Sequence, residues 1–132
     1  MSEEKKALIQ YRLLQAKDSM KEADVLLKEG MSSRSVINRL YYAMFYAALA
    51  LLQEKEIGTS KHIGAISFFD REFIKTGIFD SSFSKILHRA FELRQKGDYM
   101  EQTEITNQDI DEIQPKAQDF INEIENYLSG KD

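Results

Sequence analysis

Residues 40–52 read Leu40-Tyr41-Tyr42-Ala43-Met44-Phe45-Tyr46-Ala47-Ala48-Leu49-Ala50-Leu51-Leu52, and this run decides the fold. It carries no charge, and apolar or aromatic side chains fall on nearly every side of a 3.6-residue turn. A helix of that kind has to be surrounded by other elements. Its alanines let neighbouring helices approach closely while the aromatics fill wider gaps, which predicts a position at the centre of a bundle or in a subunit interface. The whole uncharged stretch, Leu40 to Gln53, is shorter than the roughly 20 residues a membrane span requires and holds three tyrosines. It reads as a buried helix and not as a membrane anchor.

Upstream of this run, Ile9, Leu13, Ala16, Met20, Ala23 and Leu27 alternate four and three residues apart, the spacing of one buried helical stripe. A first helix is expected over about 4–29 and the second over about 33–55. Gly30 offers a left-handed stop between them, and Ser32 or Ser33 can cap the second. Downstream, Gly58-Thr59-Ser60 precedes a third helix over about 60–76, with His62, Ile66, Phe69, Phe73 and Thr76 as its stripe and Gly77 as its end. Phe79, Phe83, Ile86, Ala90 and Leu93 mark a fourth, capped by Asp80 or Ser81 and stopped by Gly97. The fifth has Thr106 as cap and Ile110, Ile113, Ala117, Phe120, Ile124 and Tyr127 as its stripe. Pro115 removes one backbone donor inside it, which predicts a kink or a restart.

No segment alternates with period two between hairpin turns, and no repeat of 20–50 residues stands out. The expectation is an all-α, up-and-down antiparallel bundle of four to five helices, forming one domain over 1–132 with its core at about 5–128. A chain of 132 residues with 42% hydrophobic and 30% charged side chains encloses one core without staples. There is no cysteine, which excludes disulfides and thiolate metal sites. The start, Met1-Ser2-Glu3-Glu4-Lys5-Lys6, lacks the apolar region of a signal peptide, so the expected location is cytoplasmic. Charge is uneven: residues 1–97 carry 16 basic and 12 acidic side chains, residues 98–132 carry 2 and 10. A solvated outer helix face explains this, and steering of a basic partner is the alternative.

Phosphate-binding loops, dinucleotide fingerprints, H-E-x-x-H and G-x-S-x-G are all absent. With two histidines and no Glu-x-x-His pair, neither a metal nor a cofactor is expected. What remains is Arg39, the last charge before the uncharged run, with Tyr42, Ala43 and Tyr46 three, four and seven residues on along the same helix face. Two readings of it stand. The guanidinium, beside phenol hydroxyls, binds phosphate bidentately; or it pairs with a carboxylate or a helix end while the tyrosines are interior aromatics. His62, after Lys61 at the start of the third helix, is either a buried hydrogen-bonding residue or part of an anion pocket with Arg39. His88 reads as a surface residue, and Lys85, Arg89, Arg94 and Lys96 as a basic strip on the fourth helix, a solvated face with phosphate tracking as the alternative.

The block Asn38-Arg39-Leu40-Tyr41-Tyr42-Ala43-Met44-Phe45-Tyr46-Ala47-Ala48, then Lys61-His62, then Ala90-Phe91-Glu92-Leu93-Arg94-Gln95-Lys96-Gly97-Asp98-Tyr99, resembles the HEPN domain family, over roughly residues 5 to 128. It is most similar to the small stand-alone bacterial and archaeal branch. The resemblance implies a helical bundle that dimerises, often with a minimal nucleotidyltransferase as partner in a toxin–antitoxin pair. Many members are metal-independent ribonucleases whose R-x4-6-H arginine and histidine face each other across the dimer. Arginine there stabilises the charged transition state, and histidine moves the proton of the attacking 2′-hydroxyl. Here Arg39 matches the arginine, but the histidine position is filled by Tyr46. A tyrosine of ordinary pKa near 10 is a poor general base at neutral pH.

The resemblance therefore implies a homodimeric module that associates with a nucleotidyltransferase, or binds nucleotide or RNA, without catalysis of its own. A ribonuclease toxin using Arg39, Tyr46 and His62 is the alternative. Ligand- or partner-binding candidates are Asn38, Arg39, Tyr42, Tyr46, Lys61, His62 and Arg94.

Overall fold

The structure, a computed structural model, describes residues 1–59, 61–99 and 105–131, with the side chains of 97–99 left out of the description. Among the described residues there are five α-helices and no strand: α1 (Glu3–Lys28), α2 (Ser33–Glu54), α3 (His62–Phe69), α4 (Ser81–Tyr99) and α5 (Asn107–Ser129). A π-helical turn, Asp70–Ile74, continues α3. The chain is all-α, as its periodicity requires.

Local chemistry sets the ends. Ser2 caps α1 by accepting from the Lys5 amide, and Ser32, not Ser33, caps α2 by accepting from Ser35. Between them Gly30 sits at φ +72°, a left-handed conformation that L side chains resist. Asp80 starts α4, its carboxylate accepting from the Ser82 amide at 3.0 Å, and Thr106 starts α5 through a reciprocal capping box with Asp109.

α2 is the hub, packing against α1, α3, α4 and α5. Leu40, Ala43, Ala47 and Leu51 along it have no exposed surface. By length and composition α2 alone among the described helices is apolar enough to cross a membrane, but most of its apolar window is buried inside the bundle. Cross-links fix the directions of the long helices. Lys17 pairs with Glu125 and Asp24 accepts from Gln114, so α1 and α5 run antiparallel; Phe83 near the start of α4 stacks on Phe120 while Arg89 further along reaches Asp109 and Glu112 near the start of α5, so these two do as well.

The short α3 departs from this alternation. It begins beside the middle of α2, where His62 meets Tyr41 and Phe45, and its π-turn ends beside the α2 C-terminus, where Lys55 lies 5.7 Å from the Phe73 ring centroid. α3 thus runs parallel to α2, and the connecting segment doubles back along it.

Several expected boundaries differ. The third helix does not extend as one α-helix over 60–76: residue 60 lies outside the described residues, α3 starts at His62, and Asp70–Ile74 is π-helical, with the Lys75 amide donating to Asp70 O at 2.9 Å. Phe69 and Phe73, four residues apart on one face, both enter the core. Thr76 is exposed. Gly97 does not stop the fourth helix, which reaches Tyr99; one interior glycine costs only about 1 kcal/mol relative to alanine. Nor does α5 restart at Pro115. Pro115 lies on the exposed face, where the carbonyl it leaves unpaired can bond water.

Candidate functional site

On α2, Asn38, Tyr42 and Tyr46 lie four residues apart along one half-buried strip, and Tyr41 and Phe45 form the buried strip beside it. α3 delivers His62 and α4 delivers Phe91 and Arg94 onto these side chains.

The innermost pair is Tyr41 and His62. Tyr41 has no exposed surface, and its hydroxyl lies 2.7 Å from His62 Nδ1. The imidazole stacks on Phe45 at 4.3 Å with planes 6° apart, and meets Tyr42 edge-on at 5.7 Å. Burial pushes the Tyr41 phenol far above its ordinary value, with Arg94 opposing and Tyr42 reinforcing. Burial also holds His62 below the usual histidine value, and the Arg94 charge lowers it further. Both groups are therefore neutral at pH 7. We assign the Tyr41 hydroxyl as donor to Nδ1, since that is the one hydrogen bond in which this fully buried hydroxyl places its proton on a side chain; the assignment leaves the imidazole proton on Nε2.

Arg94 ties α4 to α2. Its Nε donates to Asn38 Oδ1 at 3.0 Å and its Nη2 to the Tyr42 hydroxyl at 3.2 Å, while its Cζ lies 5.6 Å and 5.1 Å from the Tyr41 and Tyr42 ring centroids. Arg39 approaches Tyr42 as well, with Cζ 5.3 Å from the ring centroid. Its Nη1 donates to Glu22 Oε2 of α1 at 3.0 Å, and its backbone carbonyl accepts from Ser19 at 2.9 Å. Tyr42 is thus contacted by two guanidinium groups, one belonging to the α1 side and one to the α4 side.

The structure brings Asn38, Tyr42, His62 and Arg94 into one cluster and places Arg39 and Tyr46 at its margin, the Tyr46 ring 5.7 Å from that of Tyr42. It does not pair Arg39 with His62: the cation beside the imidazole is Arg94, because Glu22 holds Arg39 toward α1. Lys61 is exposed at the α3 N-cap, outside the cluster. His88 is a surface residue, as expected, bonded to Asp70 at 2.7 Å. The Asp98-Tyr99 end of the second motif lies outside the described side chains. By sequence Tyr41 and Phe45 read only as core and Phe91 lies off the main stripe of the fourth helix; the available signal is that a buried tyrosine hydroxyl needs a partner, and His62 is one of two histidines in the chain.

Chemically, the cluster joins a neutral, tethered imidazole to one guanidinium, with a second across a tyrosine ring. Guanidinium groups suit phosphate or carboxylate. Among the described residues no group of His, Asp and Glu side chains is arranged to hold a metal ion.

A family model described as the HEPN domain matches residues 9–127. A "UPF0332 protein" from Thermotoga maritima is 38% identical over 125 residues, covering 95% of this chain and 94% of that protein. Two proteins from Methanocaldococcus jannaschii carry the name "Putative toxin": one is 31% identical over 126 residues, covering 96% of this chain and 90% of its own, and the other 37% identical over 95 residues, covering 72% and 65%.

Proposed function

The chain belongs to the HEPN domain family, and from that premise we propose that it is a cytoplasmic, dimeric HEPN module that binds nucleotide or RNA phosphate at the Arg39–Tyr42–Arg94 face, associates with a nucleotidyltransferase partner, and does not cleave RNA itself. The observation that carries this reading is the contact of one tyrosine ring with two guanidinium groups, at 5.3 and 5.1 Å, while the family's histidine position holds Tyr46. Charge for binding is present; a proton-transferring group at that position is not. The strip Tyr42, Tyr46 and Leu49 stays half-buried in the single chain and supplies apolar surface for a second copy.

A second reading, a ribonuclease toxin, draws on the names of the two Methanocaldococcus jannaschii relatives and on His62, a neutral imidazole beside Arg94 able to take a proton. One experiment separates the two. Purified protein is incubated with a fluorescent single-stranded RNA in EDTA, and both anisotropy and product length are read. Intact RNA, with binding weakened about 10-fold by Arg39→Ala, supports the binding module. Metal-free cleavage lost in both Arg39→Ala and His62→Ala proteins replaces it with the ribonuclease. Sedimentation velocity at micromolar concentration tests the dimer, and a strictly monomeric boundary removes it.

A further inference from the structure

On the other side of α4, away from the tyrosine cluster, a recess of about 300 Å³ opens between α4 and α5. That volume is at the lower end of small-ligand sites. Its floor is Phe83 and Ile86, and the Phe83 ring stacks between Phe79 and Phe120, 5.2 Å from each. Its rim carries Lys85 and Arg89 from α4 and Lys116 and Asp119 from α5.

The three cations are not equivalent. Arg89 is already occupied, donating at 2.8 Å to both Asp109 and Glu112, and both bonds raise its pKa. It works as a brace between α4 and α5 at one end of the recess, and Asp109 is itself fixed by the capping box with Thr106. Lys85 and Lys116 enter no close ion pair among the described residues, although the Lys85 charge is near enough to Asp80 to help lower that carboxyl's pKa. Lys116 is also the only basic side chain of α5, against six carboxylates, so a positive spot over the recess interrupts an otherwise acidic helix. Aromatic stacking below and the Arg89 brace at the side hold the recess open in advance of any ligand.

We propose that this recess is a second binding site, for a small organic anion consisting of an aromatic or aliphatic body that covers Phe83 and Ile86 and a carboxylate held between Lys85 and Lys116. An apolar floor with a few convergent polar groups is the composition of small-molecule sites, and two ammonium groups flanking it select a negative head. Asp119 on the same rim disfavours dianions. The site is independent of the phosphate-binding face, since none of its residues belongs to that cluster.

The test is a titration of isotopically labelled protein with 4-phenylbutyrate, followed by amide chemical shifts, alongside the neutral 4-phenylbutanamide and inorganic phosphate. Shifts confined to residues 82–89 and 116–120, with affinity about 10-fold weaker for the amide and for a Lys85→Ala/Lys116→Ala protein of unchanged melting temperature, are expected. Both lysines are exposed, so that protein folds. Equal affinity for acid and amide, shifts elsewhere or none, phosphate binding as tightly as the organic acid, or indifference to the lysine substitutions each overturns the proposal.

Discussion

Replacing Tyr41 by phenylalanine removes one oxygen from a side chain with no exposed surface and leaves His62 Nδ1 without its 2.7 Å partner. Losing a hydrogen bond of this kind and stranding a partly buried acceptor costs about 1–2 kcal/mol. With an unfolding entropy of about 2.1 cal/mol/K per residue, a chain of this length loses close to 0.28 kcal/mol per kelvin near its midpoint, so the melting temperature falls by about 4–7 °C. The coupling is separable from a plain packing loss. In a double-mutant cycle with His62→Phe, which retains the stack on Phe45, the two substitutions should interact by about 1 kcal/mol. The imidazole reports independently. Tyr41 donates only to the neutral ring, so Tyr41→Phe should raise the His62 pKa, followed by NMR in a His88→Gln background, where His62 is the sole histidine. Strict additivity together with an unmoved His62 titration would refute the assignment of Tyr41 as donor to Nδ1.

Ala47→Glu places a charge and four additional heavy atoms at a position with no exposed surface in the centre of α2; destabilisation of more than about 3 kcal/mol is expected in urea unfolding, and an unaltered midpoint would contradict the hub position of α2. Thr106→Ala breaks the α5 capping box and should cost about 1 kcal/mol, with amide exchange at residues 107–110 accelerated. The folded-state pKa of His62 lies below its unfolded value, so between the two the unfolded chain binds more protons. The stability His62 contributes is thus complete above about pH 6.5 and lost on acidification through the lower folded value. His62→Phe should flatten that part of a stability–pH curve measured from pH 7.5 to 5, and a curve of identical slope would argue against the depressed pKa.

The helices were legible because their signals are local. The stripe Ile9, Leu13, Ala16, Met20, Ala23 is buried as its spacing requires, and Thr106 and Gly30 act where cap and stop chemistry put them. Misread boundaries occur where a local rule competes with packing. Gly97 lacks the strength to end a helix of this length, and Pro115 sits where water can satisfy the freed carbonyl. The π-turn at Asp70–Ile74 leaves no mark in the 3.6-residue spacing, which by itself already sets Phe69 and Phe73 on one buried face.

The sequence by itself determined the helical class, the central role of α2 and the motif that marks the family, since periodicity, capping and residue identity are properties of neighbours along the chain. Tertiary structure decided which cation stands beside the histidine. Arg39 is 17 residues from Glu22, and Arg94 is 56 residues from Asn38. Those pairings depend on the phase and direction of helices packed against α2, and above all on the segment that doubles back after α2 and runs α3 parallel to it, setting His62 against Tyr41 and within reach of Arg94. Helix phase and packing direction arise from contacts between distant segments, and no local pattern encodes them.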